Sequence, residues 1–325
     1  PITRRYAALL NWFNDFFARD DGASEIFIRQ DGHPWQEGDY LVQRDLARTL
    51  KRISKYGRDG FYSGAVANLI VAEMREGGGI ISHADLENYE SKYRKPVIGK
   101  FHGFDVVSMG PPSSGGALLI HMLNMTKHFE LDSLGWNSSN YIHVLTEIER
   151  RAYADRAEHM GDMDFWKVPL SMIASETYAE ERAKTITMEK ATPSAMVFAG
   201  DPLPYESPET THYSVMDANG NAVSVTTTIN TSFGSGVVVE GAGFFLNNEM
   251  DDFSSKPGEP NSFGLIGNEA NAIEPKKRML SSMTPTILAQ DGKVVLIVGA
   301  PGGSTIITTV LQVIHNMVDF GMPVH

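Results

Sequence analysis

Residues 208–252 read PETTHYSVMDANGNAVSVTTTINTSFGSGVVVEGAGFFLNNEMDD. Two hydroxyls, Thr210 and Thr211, stand just ahead of the alternating run YSVMD. Three more, Thr226 to Thr228, lie on the alternating run AVSVTTTI, and Asn219-Gly220 sits between the runs as a hairpin turn signal. A hairpin brings facing positions on its two strands within side-chain reach. A threonine opening the first strand, with another threonine and Asn230 returning on the second, can build a nucleophile with a supporting hydroxyl. The same residues also fit a plain β-hairpin, because threonine suits strands for steric reasons alone.

The elements that must position these groups are legible around them. Thr284–Leu288 and Lys293–Gly299 read as a second hairpin across Asp291-Gly292, followed by Pro301-Gly302-Gly303 and a helix from about Ser304 to Phe320. A strand, a Gly-Gly turn and a helix N-terminus present free backbone N–H groups that favour negative charge; a simple strand-to-helix turn is the other reading. Upstream, apolar spacing predicts helices over residues 4–19, Asp45 to Tyr56, Gly64 to Glu76, Ala117 to Phe129 and Tyr141 to Met160. Ser82 with Asp85 reads as a helix cap. EIFIRQDGHPWQEGDYLV reads as short strands around Asp31-Gly32, Lys100 to Met109 as one strand, and PPSSGG as the tight turn before the next helix. The charges of Tyr141–Met160 (among them His143, Glu147, Glu149, Glu158 and His159) lack the HExxH spacing of a zinc helix and fit a solvated face. Residues 190–209, with four prolines, read as a mobile connector, and residues 254–271 as a surface loop with an apolar tip at Phe263 to Ile266.

Composition narrows the function classes. The chain has 325 residues, 28 basic against 40 acidic, a net charge of −12 and no Lys/Arg-rich run, which argues against nucleic acid as a partner. There is no cysteine, so no disulfide, thiolate nucleophile or cysteine-ligated metal. No apolar run reaches the roughly 18 residues that a membrane helix needs.

PETTHYSV, NTSFGSG, FLNNEMDDFS, KRMLSSMTPT and GAPGGS occur in that order, and together they resemble the small-subunit motifs of γ-glutamyltranspeptidases, which are N-terminal nucleophile hydrolases. FIRQDGHPWQEGDYLVQRDLARTL, MGPPSSGG and YADRAEHMGD carry the resemblance upstream. It implies an α+β fold, a four-layer αββα sandwich, truncated here at both ends. It implies self-cleavage between Glu209 and Thr210, with residues 1–209 as large-subunit part and 210–325 as small-subunit part of one interleaved domain. Thr210 would be the nucleophile, Thr228 its supporting hydroxyl, and Gly302 and Gly303 the oxyanion donors. Asn230, Glu249 and Asp252 would take the α-ammonium of a γ-glutamyl group, and Ser281 and Ser282 its α-carboxylate. Phe263 stands in the lid loop where many bacterial members have Tyr. The family's further carboxylate-binding Arg falls upstream of Pro1, and its remaining small-subunit strands fall after His325.

The implied activity is a γ-glutamyl hydrolase/transferase acting on glutathione and related compounds, passing the acyl group to water or to an amino-acid or peptide acceptor. No cofactor or metal is implied. The cleaved fragments would stay associated, in a periplasmic or secreted enzyme. Two other readings stand beside it. One is a glutaryl-accepting cephalosporin acylase of the same superfamily, against which the pair Glu249 and Asp252 argues, since glutaryl has no ammonium. The other is an uncleaved, inactive precursor fragment.

Overall fold

The computed structural model describes residues 1–198, 210–259, 261 and 265–323. The chain is α+β and divides into two compact units, Pro1–Tyr93 with Ser232–Asn248, and Arg94–Thr231 with Glu249–His325. Each unit therefore draws on sequence from both sides of Thr210. Among the described residues no helix is long and apolar enough to cross a membrane.

The first unit holds helices α1 (Arg4–Trp12), α2 (Asp21–Phe27), α3 (Arg44–Tyr56), α4 (Gly64–Gly77) and α5 (His83–Asn88), the last opened by the Ser82–Asp85 capping box. The short strands expected around Asp31-Gly32 do not form, and α2 occupies the start of that segment. Asp20 caps it, its Oδ1 accepting from Ala23 N at 2.7 Å, and Ala23 and Phe27, four residues apart, turn inward together. Phe27 joins Phe17, Phe233 and Phe245 in an aromatic cluster, with ring centroids 4.7 to 6.3 Å apart. The strand-like run GVVVEGAGFF makes only an isolated bridge, Val238 to Phe245.

The second unit is built on an antiparallel sheet of β1 (Val97–Phe101), β2 (Phe104–Ser108), β5 (Thr286–Gln290) and β6 (Lys293–Val298), in the order β1-β2-β5-β6. The single strand expected from Lys100 to Met109 is thus two strands. His102 and Gly103, at φ of 45° and 85°, reverse the chain, and His102 Nε2 lies 3.3 Å from the Asp319 carboxylate. The turn at Asp291-Gly292 forms as read, with φ of 51° and 74°. A separate hairpin, β3 (Thr211–Met216) with β4 (Ala222–Thr227), sits against β5 and β6; Ser214 and Ser224 hydroxyls donate to the carbonyls of Ile297 and Val298.

The sheet is backed by helix α6 (Gly115–Thr126), whose every residue is buried, with α7 (Ser139–His159), α8 (Glu176–Ala183) and α9 (Thr305–Val318) packed around it. A helix buried on all sides needs such a jacket. Its start approaches the downstream chain closely: a Cβ on Gly115 would lie 2.4 Å from Met283 O and from Thr284 Oγ1. Only glycine admits that approach.

A solvated face does not account for the charges of α7. Glu147, Arg151, Asp155 and Arg156 are all buried. Glu147 receives Arg151 at 2.7 Å, Arg150 at 2.8 Å, and both the backbone N–H and the hydroxyl of Thr192. Arg150 and Arg151 also hold the carbonyls of Thr192 and Thr185. The segment expected as a mobile connector is therefore clamped at least as far as Thr192. Burial alone would raise the Glu147 pKa, but hydrogen bonds from Thr192 and Arg151 outweigh it and hold the carboxyl below its ordinary range.

Two consequences are measurable. Gly115→Ala should lower stability by about 1–3 kcal/mol, the usual cost of overpacking, read as a drop in denaturant midpoint at unchanged slope. Glu147→Gln should lower the melting temperature at pH 7, because a depressed carboxyl pKa gives stability present above the unfolded value and lost as pH falls through the folded one. The gap between variant and wild type should close toward pH 3.

Candidate active site

The β3–β4 register pairs His212 with Thr226 and Thr211 with Thr227. The next facing positions at the open end of the hairpin are Thr210 and Thr228. Thr228 Oγ1 accepts from the backbone N–H of Asn230 at 2.9 Å, and Asn230 is buried with φ of 77°. Asparagine is among the residues that best tolerate that left-handed conformation. The turn thereby fixes the threonine hydroxyl and the amide within three residues of each other. His212 bonds through Nδ1 to Thr226 at 2.9 Å and through Nε2 to Ser214 at 3.1 Å, and burial lowers its pKa, favouring the neutral ring. Its ring fills the space a side chain at Gly299 would need.

Gly299 leads into the glycine turn. Gly302 and Gly303 have φ of 134° and 52°, a region that side chains strain to adopt. Gly302 O accepts from Thr305 N at 2.9 Å and from Thr305 Oγ1 at 2.7 Å, and a Cβ on Gly302 would lie 2.5 Å from that hydroxyl. Tyr153 on α7 donates its hydroxyl to Ser304 O. Helix α9 starts at Thr305, so the turn sits at the positive end of its dipole.

Ser281 and Ser282 lie on an extended segment tied to the turn before α6. Ser281 O accepts from Ser114 N at 2.9 Å and Ser114 Oγ at 2.8 Å, and Ser281 N donates to Pro112 O at 3.1 Å. Ser282 is buried; its Oγ accepts from Arg156 Nη2 at 3.2 Å, while Arg156 Nε donates to Ser114 Oγ at 3.0 Å. Glu249 and Asp252 begin and end one short 3-10 turn. Asn271 Nδ2 donates to Asp252 O at 2.7 Å and ties that turn down. Burial raises the Glu249 pKa. Burial, then the neighbouring Glu249, pushes Asp252 up to about 7, with Arg156 pulling the other way. A small cavity lined by Arg156, Asp252, Ser254, Lys256, Asn261 and Asn271 opens beside them.

The second unit thus holds three groupings. Thr210 and Thr228 follow the last register pair at the hairpin mouth, with Asn230 bonded to Thr228. Gly302 and Gly303 cap a helix. Ser281, Ser282 and the Glu249–Asp252 turn are linked through Arg156. Glu209 and Phe263 lie outside the described residues. The sequence reading passed over Arg156, Ser114 and Asn271. A signal for Arg156 existed: it continues the row Val144, Ile148, Ala152 at four-residue spacing, so an arginine occupies an apolar-face position of α7.

Comparison with known proteins bears on the whole chain. Glutathione hydrolase proenzyme of Escherichia coli strain K12 is 48% identical over 301 residues, covering 93% of this chain and 52% of the relative. The chain thus spans about half the length of the curated relatives it matches. The crystal structure of Helicobacter pylori γ-glutamyltranspeptidase aligns with a TM-score of 0.59 at 41% identity, over 61% of this chain and 57% of that one. The cephalosporin acylase from Bacillus halodurans aligns with a TM-score of 0.82 at 24% identity, over 99% of this chain and 56% of that one, which speaks for the fold alone. The fold is that of the N-terminal nucleophile hydrolases. The sequence model of the γ-glutamyltranspeptidase family matches residues 1–325, and the chain belongs to that family.

Proposed function

We propose that this chain forms the catalytic part of a self-processing γ-glutamyl hydrolase/transferase acting on glutathione and related γ-glutamyl compounds. The observation that carries the reading is the pairing of opposite receptors in one unit: an acidic turn, Glu249–Asp252, and a serine pair, Ser281–Ser282, joined through Arg156. An amino-acid head group presents an ammonium and a carboxylate together, and this arrangement answers both. Asn230 adds an amide oxygen for the ammonium.

In this reading the chain is cut between Glu209 and Thr210, so that residues 1–209 and 210–325 become large- and small-subunit parts of one interleaved fold. The freed α-amine has an unperturbed pKa of about 7.7–8.0, so it can accept the proton of its own hydroxyl near neutral pH. Thr210 Oγ1 attacks the γ-carbonyl, held in place by the Thr228 hydroxyl. The N–H groups of Gly302 and Gly303 receive the oxyanion, and the proton passes to the leaving amine as the γ-glutamyl ester forms. Water or the amine of an amino acid or peptide then attacks that ester; the amine regains its role as base, and Thr210 is released. Nucleophile, base and oxyanion donors all come from the chain in this scheme. The setting is periplasmic or extracellular, as the family resemblance suggests.

The scheme is tested by intact mass and N-terminal sequencing of the full-length protein. Two fragments, one beginning at Thr210, and a single uncut Thr210→Ala chain are expected; cleavage elsewhere, or none in wild type, sinks it. Turnover of a glutaryl anilide without turnover of a γ-glutamyl anilide would transfer the chain to the acylase reading.

Asp252 gives a second, pH-dependent test. Its carboxyl is neutral below about pH 7 and charged above, so the KM for a γ-glutamyl anilide should fall as pH rises through that value. Asp252→Asn should raise KM and abolish the fall. A folded pKa above the unfolded one also means stability present at low pH and lost as pH rises through the folded value. The same Asn variant should therefore melt higher than wild type at pH 8 and equally at pH 3.

A further inference from the structure

We infer that Arg156 is a positioning residue for the donor substrate: its guanidinium fixes the Ser281–Ser282 segment from beneath and offsets the charge of the Glu249–Asp252 turn, so it sets affinity for the γ-glutamyl head group. This inference rests on the γ-glutamyl reading above and deepens it.

Arg156 is 4% exposed. A cation so placed loses its hydration and demands donors' partners in return. It has two hydroxyls: Ser114 Oγ at 3.0 Å from Nε and Ser282 Oγ at 3.2 Å from Nη2. Ser114 passes the constraint on, since its own hydroxyl donates to Ser281 O at 2.8 Å. One rigid fork thus reaches both serines, one directly and one through Ser114. The geometry of a planar guanidinium makes this possible, and an ammonium on a flexible stem cannot reproduce it. By accepting from Arg156, the Ser282 hydroxyl also keeps its own proton free to be donated to a carboxylate.

The second half of the inference concerns charge. Among the described residues, no carboxylate makes an ion pair with Arg156. The acids that act on the region are Asp252, which faces it across the shared cavity, and Glu249 and Asp251 on the same turn. Tyr153 lies one turn back on α7, and Lys256 and Glu259, also at the cavity, pair with each other at 3.2 Å. Arg156 is therefore the buried cation at this cavity whose charge counters burial and Glu249 at the Asp252 carboxyl. The negative turn can then take an ammonium, while the serine hydroxyls, which already accept from Arg156 and from Met283 N, turn their own protons to a carboxylate.

The experiment is steady-state kinetics with γ-glutamyl-p-nitroanilide between pH 5 and 9, on the full-length protein as wild type, Arg156→Lys and Arg156→Gln, with cleavage at Thr210 verified by N-terminal sequencing. Arg156→Gln should raise KM about tenfold or more, the scale of a lost charge-assisted hydrogen bond, with a much smaller change in kcat. The pH at which KM improves should move upward, because the carboxyl of Asp252 has lost its cation. Arg156→Lys should keep that pH where wild type has it yet still raise KM, since charge is restored and the fork is not. A purely structural role would move neither the pH profile nor the KM-to-kcat split, and that result overturns the inference. So does an Arg156→Gln chain that accumulates but stays uncut at Thr210, which would place the residue in processing. If Arg156→Gln does not accumulate, Arg156→Lys alone decides, an unchanged KM overturning the proposal. Absent turnover in cleaved wild type removes the γ-glutamyl reading itself, a failure distinct from wild-type turnover with unaffected variants.

Discussion

The pairing of β2 with β5 is the constraint on which the second unit depends. Asp105 to Ser108 lie against Thr286 to Ala289, and Ser108 and Thr286 share a buried hydroxyl contact at 2.9 Å. This ladder joins segments about 180 residues apart and sets everything that follows it. The turn after β2 carries Ser113 and Ser114 onto Ser281 and Met283, and the close approach at Gly115 keeps α6 there. The chain beyond β5 returns as β6 and delivers the glycine turn. Shift the register by one residue and every side chain on these strands changes face; the serine segment and the glycine turn would then no longer share a unit.

Around that ladder the charges are distributed by position on one helix. α7 presents Glu147 and Arg151 to the chain at Thr192, and Arg156 to the serine segment, little more than two turns further on. The middle of the helix thus holds the chain at Thr192, while Arg156 nearer its C-terminus lines the cavity beside Asp252. Both use buried ions, which are costly unless satisfied. Glu147 is satisfied by four donors from protein. Arg156 is satisfied by two hydroxyls and by the field of Asp252, a looser arrangement.

Much of this was legible in the sequence because the relevant signals are local. Asn219-Gly220 and Asp291-Gly292 mark hairpins by turn chemistry alone, and Ser82 with Asp85 marks a helix start. Motif order singled out the threonines, the glycine turn, the acidic turn and the serine pair as candidates. What escaped was decided by tertiary contact. The run EIFI looks strand-like, yet the aromatic cluster selects the helical spacing of Ala23 and Phe27. His102-Gly103 lacks the usual hairpin signature, and His102 there meets Asp319 from far along the chain. The buried ions of α7 resemble a surface pattern until Thr192 and Ser282, both far away in sequence, are seen beneath them. Periodicity reports which residues share a face; it does not report what that face meets.

The contacts of the second unit are unevenly spaced along the chain. Thr211 and Thr227 meet across sixteen residues, and the β5–β6 hairpin is just as local, whereas the β2–β5 ladder joins segments far apart in sequence. Local pairings close quickly and distant ones slowly, because the entropy of loop closure must be met first. The strands of each hairpin can therefore come together early in folding, while the contacts of Ser113 and Ser114 with Ser281 and Met283 wait for distant chain to meet. The topology of this chain thus favours an order of assembly in which the open end of the hairpin is set before the serine segment is fixed.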